Sequence, residues 1–290
     1  MPKKIKLGFK SDYIAIIDLV PEDELQTGRK LEENINDYIN EYELKYACEL
    51  YKCVDRSQFT DTLNTIKQRL IDTGKIPLIH IEGHGSKEGI STPDKDIILW
   101  SDLFKLLREI NLLAQNNLFV SSGACLSGYA MKEVKILEPS PLVCLLAPVQ
   151  EVQAGKVIDA FSVFYKLFLN PDEDLNNAID RFHKETEGTE YLFIWAQQFF
   201  NNGARSYFLN RFNAKARQCL LEAQLSVAMK NIRGALLSVA RKYFKKNMKS
   251  SIYKILTKSH KKFMMIDIYP ENADRFPFNA QELEESVRKK

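Results

Sequence analysis

Two residues in this sequence are placed for thiol chemistry: His84, closing the run IPLIHIEGHG, and Cys125, inside LFVSSGACLSG. A free cysteine, with a pKa of about 8.5, is mostly protonated at neutral pH, so it attacks a carbonyl only with help from a base or a positive field. An imidazole gives that help by taking the thiol proton and returning it to the leaving amine. Gly85 adds a backbone N–H that no side chain shields, and the N–H of Cys125 is a second donor, so the pair suits an oxyanion. Gly123, Ala124, Ser127 and Gly128 keep the surroundings of the sulfur small enough for an extended peptide. Either residue alone reads more readily as a core thiol or a loop histidine. Their joint placement at the ends of two apolar runs favours a cysteine hydrolase site.

Those runs belong to a longer alternation. Residues 13–20, 45–54, 76–81, 118–122 and 142–147 are apolar stretches of strand length, and 191–195 is a sixth. Between them lie helical stripes. Leu25, Leu31, Ile35, Tyr38 and Ile39 form one over 23–42. Leu63, Ile66, Leu70 and Ile71 form another over 59–71, capped by Ser57 or Thr60 and stopped by Gly74. A third, with Leu103, Leu106, Leu107 and Ile110 inward, is capped by Ser101. A long helical region over 157–184 breaks at Asn170-Pro171. After His84, GSKEGISTPDKDIILW predicts a small hairpin outside the main sheet. The alternation predicts right-handed βαβ units and a mainly parallel sheet. Ligands bind such sheets at the carboxyl ends of the strands. If the strands ending at Ile81 and Ser122 are neighbours, His84 and Cys125 reach one crevice.

The 290 residues, 45% hydrophobic and 27% charged, suit one large domain or a domain with an appendage. Five scattered cysteines without C-x-x-C spacing form neither a disulfide framework nor a zinc ribbon, so reduced thiols are expected. MPKKIKLGFKSD lacks the apolar core of a signal peptide and no window approaches 18 apolar residues. A cytoplasmic protein without a membrane span is the expectation. The net charge of +3 conceals an asymmetry: residues 203–263 hold 15 Lys or Arg against one acid, Glu222, a balance of +14 that leaves −11 elsewhere. From about Asn202 the pattern is amphipathic and basic, with Phe212, Ala216, Cys219, Ala223 and Val227 three or four apart, followed by a tail after Ile268. The expected domains are 1–200 and a basic helical extension over 201–290.

A hydrophobic strand ending in His84-Gly85, and 41 positions later one ending in Ala124-Cys125, resembles the caspase-type cysteine peptidases of clan CD. Their Q-A-C-[RQG]-G signature is met in part, since the sequence has Gly123-Ala124-Cys125-Leu126 with a glycine at 128. The similarity is greater to the CHAT branch, related to separase. LWSDL (99–103) resembles that branch's helix start, and the APV strand end (147–149) and AFSVFYKLFLNPDEDLNNAIDRF (160–182) resemble its following strand and helix. The resemblance covers residues 13–195. It implies a caspase-like α/β/α sandwich and cysteine endopeptidase activity on a protein substrate, without a cofactor or metal. Cys125 is then the nucleophile, His84 the general base and acid, and Gly85 with the Cys125 amide the oxyanion hole. It places the substrate pocket near Gly123, where relatives that cut after basic residues carry an Asp, or near Glu151. It also implies a regulated effector in cell death or defence, with an activating partner.

Other chemistries fit less of the pattern. His80, Glu82 and His84 alternate as metal ligands on one strand face would, which is the basis of a metal-dependent hydrolase reading. His183 and His260 are the only other histidines and lie far along the chain, so His80 and Glu82 are expected to support the thiol site instead. A zinc deaminase needs P-C-x-x-C, which is missing, and a serine hydrolase needs G-x-S-x-G, also missing. The basic stretch, with Tyr243, Phe244 and Tyr253 interleaved, suits nucleic acid or an anionic surface. The non-enzymatic alternative is an inactive caspase-like adaptor that binds nucleic acid or a partner through these helices.

Overall fold

The computed structural model describes residues 9–173, 175–186, 190–212 and 252–288. These form two compact units, one running through Lys135 and from Pro139 to Ala196, the other made of Ile136–Glu138 and the described residues from Gln197 on.

The first unit is an α/β structure on a mostly parallel six-stranded sheet. Strand β1 (Tyr13–Asp18) leads through α1 (Thr27–Glu41) to β2 (Cys48–Lys52), and α2 (Arg56–Thr73) returns the chain to β3 (Pro77–Glu82). The chain then leaves this sheet for a separate three-stranded one, β4 (His84–Gly85), β5 (Gly89–Ser91) and β6 (Ile97–Leu99). Helix α3 (Trp100–Leu113) brings it back to β7 (Phe119–Ser122), β8 (Cys144–Pro148) follows, and α4 (Ala154–Leu169) and α5 (Leu175–Glu185) precede β9 (Tyr191–Trp195). The spatial order is β2-β1-β3-β7-β8-β9, with only β9 antiparallel to its neighbour. Helix α4 packs against both α1 and α5, and α2 packs against α3, consistent with layers on both faces. Covered on both faces, β1 and β3 are buried along their whole length, which is why they read as continuous apolar runs.

Several boundaries differ from expectation for local reasons. Helix α1 begins at Thr27, because Gln26 turns its amide onto the carbonyls of Pro21 and Glu24 and the preceding residues form a loop. Leu25 therefore lies outside the helix, 57% exposed, while Leu31, Ile35 and Ile39 carry the buried stripe. Helix α2 starts three residues earlier than expected, its cap being Asp55, whose carboxylate accepts the Gln58 N–H at 2.8 Å; Ser57 and Thr60 lie inside. Its buried face is Phe59, Leu63, Ile66 and Leu70, and Ile71 points to solvent. Ser101 is likewise inside α3, which starts at Trp100 behind an extended Leu99.

In the second unit, α6 (Ala196–Phe212) and helical residues 252–263 are described, and the expected tail holds two short helices, Asn272–Arg275 and Ala280–Arg288. The centre of the basic extension, 213–251, lies outside the described residues. His260 is buried here, its Nε2 3.0 Å from Gln197 Oε1 and its ring stacked 4.6 Å from Phe278. No helix among the described residues is long and apolar enough to cross a membrane.

Candidate active site

The connection from β1 leads outward to β2, whereas that from β3 leads the opposite way to β7. Sheets of this kind open a crevice where the direction reverses, at the carboxyl ends of the strands. A cavity of about 180 Å³ lies there. The loop after β1 lends it Glu24 and the start of α1 lends Thr27; the end of β3 lends Glu82 and the residue beyond lends His84. From the β7 end come Gly123 and Cys125, and Val152 and Val157 close it from the β8 side. Since β3 and β7 pair in parallel, Ile81 opposite Ser122, the two chemically marked strand ends are neighbours and His84 and Cys125 line one space.

His84 is largely exposed, with Nε2 2.7 Å from Glu24 Oε2. A proton on Nε2 donated to that carboxylate leaves Nδ1 as the ring's acceptor. Cys125 is half-buried, its Sγ receiving the Val152 N–H at 3.3 Å and lying 3.6 Å from the Val152 carbonyl oxygen. The thiol is therefore oriented by the segment after β8.

The backbone around Cys125 is held while its own N–H is not. Ala124 N–H donates to Ser122 Oγ, Leu126 N–H to the Gln150 carbonyl and Ser127 N–H to the Ala124 carbonyl. Among the described residues the Cys125 N–H has no acceptor. Leu126, at φ 60°, turns the chain sharply into the short 3-10 helix Ser127–Glu133. Across the cavity, the Ser86 N–H bonds the Gly89 carbonyl at 2.8 Å and closes the β4–β5 turn. Bonded and non-bonded pairs alternate along an antiparallel ladder, so the next pair, Gly85 with Ile90, is non-bonded and the Gly85 N–H faces away from β5. Gly85 also passes directly over the Ala124–Cys125 peptide, for a Cβ there would collide with the Cys125 carbonyl oxygen and come within 3.1 Å of Ala124 Cβ.

His80 and Glu82 sit beneath the cavity, fully or nearly buried. His80 Nε2 is 2.7 Å from Glu82 Oε1, Thr27 Oγ1 donates to Glu82 Oε2 at 2.8 Å, His80 Nδ1 is 2.8 Å from Ser121 Oγ, and Ser121 Oγ is 2.7 Å from Tyr165 Oη. Two arrangements leave no proton without an acceptor: Tyr165 donates to Ser121 and Ser121 to His80 Nδ1, or Ser121 donates to Tyr165 and Tyr165 to His80 Nδ1 at 3.1 Å. In both, His80 accepts at Nδ1, and its Nε2–H and the Thr27 hydroxyl donate to Glu82. Beside it, burial pushes the Asp18 carboxyl up, opposed by the Val20 N–H and by Lys52, whose Nζ is 3.2 Å away.

Of the residues expected to shape a substrate pocket, Gly123 lines the cavity, whereas Glu151 is exposed and does not. His84 opens a different sheet from the one carrying His80 and Glu82, so the three do not share a strand face. Among the described residues no cluster of three His, Cys, Asp or Glu is placed to hold a metal. Glu24, Thr27, Ser121, Tyr165 and Val152 join the site unforeseen; only the proximity of Ser121 to Cys125 in sequence hinted at any of them. A scan against protein-family models finds no match to this chain, and a search of curated proteins finds none either.

Proposed function

We propose that this protein is a caspase-like cysteine endopeptidase that cleaves a protein substrate through Cys125 and His84. The observation that carries the reading is that both residues line one cavity at the switch point of the sheet. His84 takes the thiol proton and Cys125 Sγ attacks the scissile carbonyl carbon, whose oxygen is received by the Gly85 and Cys125 N–H groups. Collapse breaks the C–N bond as His84 passes its proton to the leaving amine. Water, deprotonated by His84, then releases the acyl group from sulfur.

The resemblance to the CHAT branch adds a regulated effector role in cell death or defence and an activating partner. The test compares new protein ends in cells expressing the wild-type chain with those expressing Cys125→Ala or His84→Ala. Both variants are expected to fold and to lose cleavage by at least about 1,000-fold. Cleavage retained by purified Cys125→Ala would refute the proposal.

A further inference from the structure

We infer that Glu82 forms the floor of the pocket for the side chain preceding the scissile bond, and that this pocket takes a cationic side chain on a methylene stem, as lysine has. The inference rests on the peptidase reading, which sets the scissile bond at Cys125. The Glu82 carboxylate is 3% exposed and lines the same cavity as that cysteine. Its two partners are the Thr27 hydroxyl and the His80 ring, and the ring carries a single proton, on Nε2, in both arrangements that satisfy every donor. Among the described residues no Lys or Arg pairs with it. The cation nearby, Lys52, spends its three protons elsewhere, on Asp18 Oδ2 at 3.2 Å and on the Val20 carbonyl and Gln26 Oε1, both at 2.6 Å.

A buried carboxylate without a cation is costly, and each of its oxygens accepts two hydrogen bonds where the protein supplies one. Gly123 is what lets the cavity reach it. A Cβ at that position would come within 2.6 Å of both Glu82 Oε2 and Val157 Cγ1 and fill the approach. Val20, Leu25, Val152 and Val157 give the walls an apolar character suited to a methylene stem.

The test treats the full-length protein with two peptidyl acyloxymethyl ketones that differ only in lysine or norleucine before the ketone. Cys125 thiolate displaces the carboxylate from the methylene carbon and leaves a thioether, counted by intact mass. The lysyl probe is expected to label Cys125 about 10- to 100-fold faster, as a charge-assisted hydrogen bond allows. In folded Glu82→Gln the ratio should fall towards one; if that variant does not fold, judged by circular dichroism, the wild-type ratio decides. Equal rates on the wild type, or an unchanged ratio in folded Glu82→Gln, overturn the pocket and leave the nucleophile standing. Labelling by neither probe removes both.

Discussion

For the proposed peptidase, replacing Gly85 by alanine isolates the contribution of the β4 backbone to catalysis. The added methyl carbon would fall well under 3.0 Å from the Cys125 carbonyl oxygen, a separation that real Cβ atoms do not adopt, so one backbone must retreat. Restoring ordinary contact requires a displacement of about 1 Å. The cost in stability is small, because β4 belongs to the outlying three-stranded sheet and moves without opening the buried six-stranded one. The cost in function is large. The Gly85 N–H shifts by the same amount from the oxyanion position, and a misplacement of about 1 Å or the loss of one such donor slows catalysis about 100-fold, or about 2.7 kcal/mol. The assay is kcat/KM on a fluorogenic peptide, with the thermal midpoint and the rate of Cys125 alkylation by iodoacetamide as controls. A loss of about 100-fold is expected with the midpoint within a few degrees and alkylation within about threefold. A Gly85→Ala protein retaining wild-type kcat/KM would refute the oxyanion role.

Glu24→Gln removes the carboxylate from His84 Nε2 while keeping an acceptor of the same shape. Because the pair is exposed and such pairs are worth about 1 kcal/mol or less, kcat should fall about two- to fivefold with KM unchanged. A steady-state comparison giving identical kcat would remove Glu24 from any orienting role. His260 makes the second unit acid-sensitive. Burial pushes its imidazole down to about 4 from the ordinary 6.5, so above pH 6.5 neither state is charged there. Between 6.5 and 4 the unfolded chain alone takes up the proton, and stability falls by about 1.4 kcal/mol per pH unit. Urea unfolding at pH 7 and 4.5 should show the wild type losing about 2 kcal/mol more than His260→Gln. Equal losses would contradict the burial argument.

The parts of the fold visible in the sequence are those whose physics is local. Strands covered on both faces are apolar or small-residue runs, which made β1, β3, β7 and β8 visible; the edge strands β2 and β9, only partly buried, were placed as well, as was the break at Asn170-Pro171 between α4 and α5. The reversed direction of β9 was not visible, since strand direction is set by how the preceding helices return the chain and not by the residues YLFIW. Caps were misplaced where several short polar residues compete. Asp55, Ser57 and Thr60 all precede apolar positions, and only three-dimensional geometry selects Asp55. In the site, His84 and Cys125 were legible because strand ends of a parallel sheet converge. Glu24 was not, for it lies 60 residues from its partner in a loop with no pattern of its own.

The alternation of His80, Glu82 and His84 shows how one break in a strand separates functions. On an uninterrupted strand the three would share a face and invite a metal. Because β3 ends at Glu82, the register that buries Ile79 and Ile81 also seats His80 and Glu82 within the fold, and the next two residues carry His84 out to β4. Burial then decides what each can do. An exposed imidazole exchanges protons with solvent and substrate, whereas His80, fixed between Ser121 and Glu82, has every proton assigned. Glu82 lies at the boundary, each oxygen taking one hydrogen bond from within the fold and the carboxylate facing the cavity beside Gly123. If His80 serves to keep Glu82 charged and aimed, its removal should change which residue precedes the cut bond before it changes how fast an accepted bond is cut.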